Sequence, residues 1–134
     1  MPIAFLPRPG TVLICDFRTG FVPPEMVKRR PVVVLSPHRS ELSGPHIVVP
    51  LSTTKPWHIQ PVHVPLPIRR YNFLRGPEEI WAKCDMLTAV ASSRLERLYS
   101  NGHRITPIVR DRDLTAIRRG VLHAIGLSRL TARI

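Results

Sequence analysis

The stretch Lys28-Arg29-Arg30-Pro31-Val32-Val33-Val34-Leu35-Ser36-Pro37 decides the fold class. Three valines and a leucine stand between two prolines, a run too short for a helix and apolar on every side chain. Such a run reads as a central strand buried on both faces. Proline cannot sit inside a helix or donate to a sheet ladder, so Pro31 and Pro37 also bound the strand. Comparable runs lie on either side. Thr11-Val12-Leu13-Ile14-Cys15-Asp16-Phe17 follows the turn pair Pro9-Gly10, and His46-Ile47-Val48-Val49-Pro50-Leu51 runs directly into Ser52-Thr53-Thr54. Val62-His63-Val64-Pro65-Leu66 carries an internal proline, which an edge strand tolerates, and Ile80 to Leu87 completes a set of five.

The last third changes period. Leu114, Ile117, Val121, Leu122 and Ile125 recur on one face of a helix. The pattern predicts a helix over 111–126, with Asp111 or Asp113 as N-cap and Gly126 as its stop. Gly120 in its interior costs about 1 kcal/mol against alanine. A shorter helical turn is expected around Ser92–Leu98. No repeat, low-complexity tract or long linker divides the chain, so a single domain over residues 1–134 is expected: mainly β with α, a strongly bent antiparallel sheet covered by one helix.

Composition narrows the function classes. Fifteen prolines in 134 residues exclude an all-helical bundle. A net charge of +11 favours a polyanionic partner, which nucleic acid and an anionic membrane surface supply equally well. No run approaches the roughly 18 apolar residues of a membrane span, and the N-terminal stretch to Pro7 lacks the charged start of a signal peptide. A soluble, cytoplasmic chain with no membrane partner is the expectation. Cys15 and Cys84 both lie in apolar strand-like runs and are expected to be buried, inert thiols. Six histidines form neither HxxxH nor HExxH, and CxxC, GxGxxG and phosphate-loop patterns are missing, so no metal site and no cofactor is expected. The adjacent Glu78-Glu79 would point to opposite faces of an extended chain.

Two segments carry chemistry. Arg30 begins one buried strand, and Ser52-Thr53-Thr54 end another. If these strands pair, Arg30 and Ser52-Thr53 converge on one phosphate, gripped by a planar guanidinium and completed by hydroxyls and amides. The bland alternative is a solvated charge beside a strand-ending turn.

The chain resembles the MazF/PemK family, the ribonuclease toxins of type II toxin–antitoxin pairs. The resemblance is carried by Pro9-Gly10 through Asp16-Phe17, Arg30-Pro31 through Ser36-Pro37, Val48-Val49-Pro50-Leu51-Ser52-Thr53, Ala82-Lys83-Cys84-Asp85-Met86-Leu87 and the terminal helix. It implies a small SH3-like barrel of strongly bent antiparallel strands capped by a C-terminal helix, as in MazF and CcdB. It also implies a homodimer that cleaves single-stranded RNA without metal and is held by a cognate antitoxin. The family's essential arginine falls on Arg30, its essential hydroxyl on Ser52 with Thr53 beside it, and a loop glutamate on Glu25. The loop itself departs from the usual pattern, reading Phe21-Val22-Pro23-Pro24-Glu25-Met26.

Lys28 and Arg29 are further candidates for substrate binding, with Trp57 and His58 of the segment Lys55–Gln60. Trp57 suits stacking on an unpaired base. His58 and His63 have the intrinsic pKa range for proton transfer. The implied chemistry is attack by the ribose 2′-hydroxyl, giving 2′,3′-cyclic phosphate and 5′-hydroxyl ends. The rival is a DNA- or RNA-binding module that does not cut, or a gyrase poison of the CcdB kind, which needs neither Arg30 nor Ser52-Thr53.

Overall fold

The structure, a computed structural model, describes residues 2–38 and 44–134. Among the described residues nine strands precede the helix: β1 (Val12–Asp16), β2 (Arg29–Val34), β3 (His46–Ser52), β4 (His63–Pro67), β5 (Glu79–Lys83), β6 (Thr88–Val90), β7 (Leu95–Glu96), β8 (Leu98–Ser100) and β9 (His103–Ile105). Helix α1 spans Asp111–Ala124, and short 3-10 turns interrupt the chain at Ile68–Arg70, Cys84–Met86, Ser92–Arg94 and Ser128–Arg133.

The main sheet is antiparallel, in the order β4-β5-β3-β2-β1-β7, and β8 and β9 form a separate ribbon. Strand β3 is its hub. One edge pairs with β2, while the other pairs with β6 at His46–Val48 and then with β5 at Leu51–Ser52. The change of partner along one edge is what bends the sheet. The bent antiparallel sheet and the helix over it are as the sequence predicts. The barrel implied by the resemblance is not closed, because the ladder ends on β4 at one side and on β7 at the other.

Both faces are covered, which accounts for continuous apolar runs in place of alternation. Val33, Val49 and Leu51 point into a core with Leu66, Leu114 and Ile117. Val32, Val34 and Val48 point the other way, into a second core with Leu13, Phe17 and Leu95. Helix α1 packs on β4 and on the turn at Cys84–Met86. Burial of Leu114 and Ile117 stabilises the fold by roughly 1.5–3 kcal/mol each.

Several expectations need correction. The fifth strand stops at Lys83, and Cys84–Met86 turns away because the Cys84 amide donates to the Val62 carbonyl at 3.0 Å. The expected turn over Ser92–Leu98 is a 3-10 turn only as far as Arg94. Leu95 is then drawn into the ladder opposite Cys15 as β7. The N-cap of α1 is Arg110, with no side-chain cap. Asp113 does not cap because its carboxylate takes two bonds at 2.9 Å from Arg70 Nη1 and a short one from the Tyr71 hydroxyl. Gly126 does end the helix region, at φ +80°. Leu114 and Ile117 are buried, but Val121 and Leu122 are half-buried and Ile125 is exposed. The last turn of α1 overhangs the sheet, and Ser128–Arg133 folds back beside it, where Arg119 Nε donates to the Thr131 carbonyl at 3.2 Å.

Candidate active site

Strands β2 and β3 pair with Val32 opposite Pro50, Val33 opposite Val49 and Val34 opposite Val48. Continued toward the open end, this register sets Arg30 opposite Ser52, the last residue of β3. On its other edge Ser52 pairs with Trp81 of β5. The Ser52 Oγ accepts the Thr54 amide at 3.1 Å, a local turn that ends the strand and tips Thr53 outward. Ser52 is thereby buried and Thr53 exposed.

Arg30 and Thr53 line one cavity of about 280 Å³, with Leu51, Arg75 and Tyr99. Arg30 Nε is buried and has no hydrogen-bond partner, and the guanidinium has no ion-pair partner among the described residues. A buried donor without an acceptor costs about 1–3 kcal/mol, more when charged. An anion in the cavity would supply the acceptor that no described residue provides. Gly76 closes the rim against Thr53. Its φ is +146°, and a β-carbon there would stand 2.9 Å from Thr53 Cγ2 and 3.0 Å from Ile80 Cδ1.

The other predicted residues lie elsewhere. Arg29 points to the opposite side of β2, paired with Glu96 at 2.6 Å. Lys28 is exposed just ahead of it. Glu25 lines a different cavity, of about 260 Å³, with Phe17, Phe21, Met26 and Asp85, and its Oε1 accepts the Val22 amide at 2.7 Å. That loop is held by Arg94, whose guanidinium lies 4.7 Å from the centre of the Phe21 ring and donates to the Asp16 carbonyl. Trp57 is 93% exposed and meets His58 edge to face, outside the Arg30 cavity. His63 Nδ1 accepts the Gln60 amide at 3.0 Å, so the neutral ring carries its proton on Nε2 and is occupied in holding the loop. Neither histidine lines the cavity.

Burial pushes the thiol pKa values of Cys15 and Cys84 up to about 12, and both are free. Neither supplies a nucleophile near neutral pH. Among the described residues no helix is long and apolar enough to cross a membrane.

Two residues at the cavity escaped the sequence reading, Arg75 and Tyr99. Tyr99 had a signal in reach: Asn101-Gly102, at φ 50° and 80°, is the pair that a tight hairpin demands, and it predicts the β8–β9 ribbon. Arg75 sits in a short connection with no periodicity, and nothing local marks it.

Residues 8–125 match the model of the family described as PemK-like, MazF-like toxin of type II toxin-antitoxin system. A curated relative from Haemophilus influenzae, named only as an uncharacterized protein, is 28% identical over 92% of this chain and 93% of its own. The putative uncharacterized protein YifN of Escherichia coli K12 is 30% identical, covering 93% of this chain and 95% of its own. Among solved structures, MazF of Deinococcus radiodurans superposes with a TM-score of 0.66 at 22% identity, covering 91% of this chain and 98% of that one. A mycobacterial endoribonuclease in complex with its cognate antitoxin gives 0.62 at 20% identity, covering 90% and 96%. These two likenesses are likenesses of fold.

Proposed function

Because the chain belongs to the PemK-like, MazF-like toxins of type II toxin–antitoxin systems, we propose that it is an endoribonuclease that cleaves single-stranded RNA against Arg30. The observation that carries this reading is the buried, unpartnered Nε of Arg30 on the cavity it shares with Thr53. A buried guanidinium nitrogen with no protein acceptor is costly, and a phosphate oxygen entering the cavity would supply the missing acceptor.

The reaction we assign is transesterification without a metal cofactor. The ribose O2′ attacks the adjacent phosphorus and the P–O5′ bond breaks, leaving a 2′,3′-cyclic phosphate and a 5′-hydroxyl. The proton leaves O2′ to solvent, and O5′ takes one from solvent. Charge on the phosphate oxygens grows toward the transition state, and Arg30 is fitted to stabilise it with a preorganised, permanently charged fork. Thr53 orients the phosphate from the same cavity. Ser52 shapes the turn that presents Thr53, and keeps its own proton for donation because it accepts the Thr54 amide. The toxin acts as a homodimer in the cytoplasm. Its excess positive charge is met by an acidic segment of a cognate antitoxin, a contact that weakens as salt rises.

Incubation of the purified protein with single-stranded RNA in EDTA, followed by end-group mapping, tests the assignment. Cyclic phosphate and 5′-hydroxyl ends are expected. Binding without cutting would move the protein to the class of nucleic-acid-binding modules, and 3′-hydroxyl ends would overturn the mechanism.

A further inference from the structure

We propose that Arg75 and Tyr99 form the subsite for the nucleotide next to the reacting phosphate, Arg75 holding its phosphate and Tyr99 stacking on its base. This rests on the ribonuclease reading of the Arg30 cavity, whose wall both residues share.

Three observations support it. Several arginines near the sheet are committed to acceptors: Arg29 to Glu96, Arg70 to Asp113, Arg94 to the Asp16 carbonyl, and Arg97 to Thr106 Oγ1 and the Arg104 carbonyl. Arg75 is exposed, lines the cavity and has no such partner among the described residues. Its position is set by its neighbour, because Gly76 lies against Thr53 more closely than any side chain allows. The third observation is Tyr99. It is 69% exposed although it stands on a paired strand between Leu98 and Ser100, opposite Arg104. The Arg97 bonds to Thr106 and Arg104 cross the ribbon and hold the strand that carries the ring at the cavity.

An acidic peptide matches the two guanidinium groups but offers the ring a flat partner only where it also carries an aromatic side chain. A nucleotide supplies both a diester anion and a π-face, and stacking tolerates any base.

The test is affinity for a single-stranded oligonucleotide that carries 2′-deoxyribose at the reacting position and so cannot be cut. Arg75→Ala is expected to weaken binding about 10-fold and to reduce the salt slope of log K by about 0.7, the share of one phosphate on a single strand. Tyr99→Ala is expected to cost about 10-fold with the slope unchanged, and Tyr99→Phe to restore it. Arg112→Ala, an exposed arginine of α1 outside the cavity, serves as the control for general charge and is expected to stay within about 2-fold. Wild-type protein that binds and cleaves RNA while Arg75→Ala and Tyr99→Ala bind like wild type would overturn this inference alone. Wild-type protein that neither binds nor cleaves would overturn the ribonuclease reading with it. Variants that lose affinity for polyglutamate but not for the oligonucleotide would assign the pair to a protein partner and overturn the proposal.

Discussion

Gly120 of α1 lies directly on Cys84: a β-carbon at position 120 would stand 2.6 Å from Cys84 Sγ and 3.1 Å from its Cβ. Gly120→Ala therefore pits two effects against each other. Alanine favours the helix by about 1 kcal/mol, but forcing a methyl into a filled contact costs about 1–3 kcal/mol. Val64 Cγ2, 3.3 Å away on another side, leaves little room to shift. Net destabilisation is expected in urea unfolding, with part of it recovered by a second change, Cys84→Ala. A Gly120→Ala protein more stable than wild type would show that the helix does not depend on this close approach.

The anchor at the other end of α1 is ionic. Asp113 is buried and takes Arg70 through both carboxylate oxygens, while the Tyr71 hydroxyl bonds Asp113 and accepts the Arg110 amide at 3.0 Å. Asp113→Ala leaves Arg70 and Tyr71 without their acceptor and is expected to cost about 3 kcal/mol, since one half of a buried pair is worse than none. Tyr71→Phe removes one member and should cost less. Denaturation midpoints of the two variants check the order.

Alkaline pH should erode stability through the thiols. Both are held near 12 in the folded chain, against an ordinary value of 9.0, and burial is the main cause. A folded pKa above the unfolded one gives stability that is whole below pH 9 and declines as pH climbs toward 12. Urea midpoints measured from pH 8 to 10 should fall, and the Cys15→Ala, Cys84→Ala double variant should flatten that fall. Equal slopes would remove the thiols from the account.

At the site, Arg30→Ala is expected to abolish cleavage while leaving stability unchanged or raising it by about 1 kcal/mol, because it deletes a buried donor that nothing satisfies. Arg30→Lys should rescue poorly, since a point charge cannot reproduce the planar fork. Thr53→Val is expected to slow cleavage about 10²-fold or more, the usual loss for one transition-state donor. Ser52→Ala should lower cleavage and stability together, because the turn bond to Thr54 goes with it. Full cleavage by Arg30→Ala protein free of contaminating nuclease would end the assignment of this cavity.

Short apolar runs, the clearest of them the proline-bounded valines at 31–37, revealed the five principal strands because each is long enough to bury a face by itself. Strands β6 to β9 are two or three residues long and hold only by pairing, so no periodicity announces them. The helix was legible from its 3.6-residue stripe, but its cap was not. Asp113 looks like a cap locally and is claimed by Arg70 and Tyr71, 43 and 42 residues away. The same holds for the site. Arg30 and the Ser52-Thr53 pair stand at strand ends and are visible as such. Arg75 and Tyr99 reach the cavity only through tertiary packing. Arg29 differs from Arg30 by one position, yet the alternation of the strand sends it to Glu96 on the other face.

Strand β3, clamped along both edges, ends in hydroxyls whose position its neighbours dictate and the following chain does not. From Lys55 to Ile59 the polypeptide is mostly exposed, and the sheet grips it only beyond that, where Gln60 bonds His63. Descendants of this gene can therefore rewrite that segment, Trp57 included, without moving Ser52 and Thr53. The architecture separates two tolerances to change: a substitution that shifts β3 disturbs the strands paired along both of its edges, whereas one in the adjoining exposed loop does not.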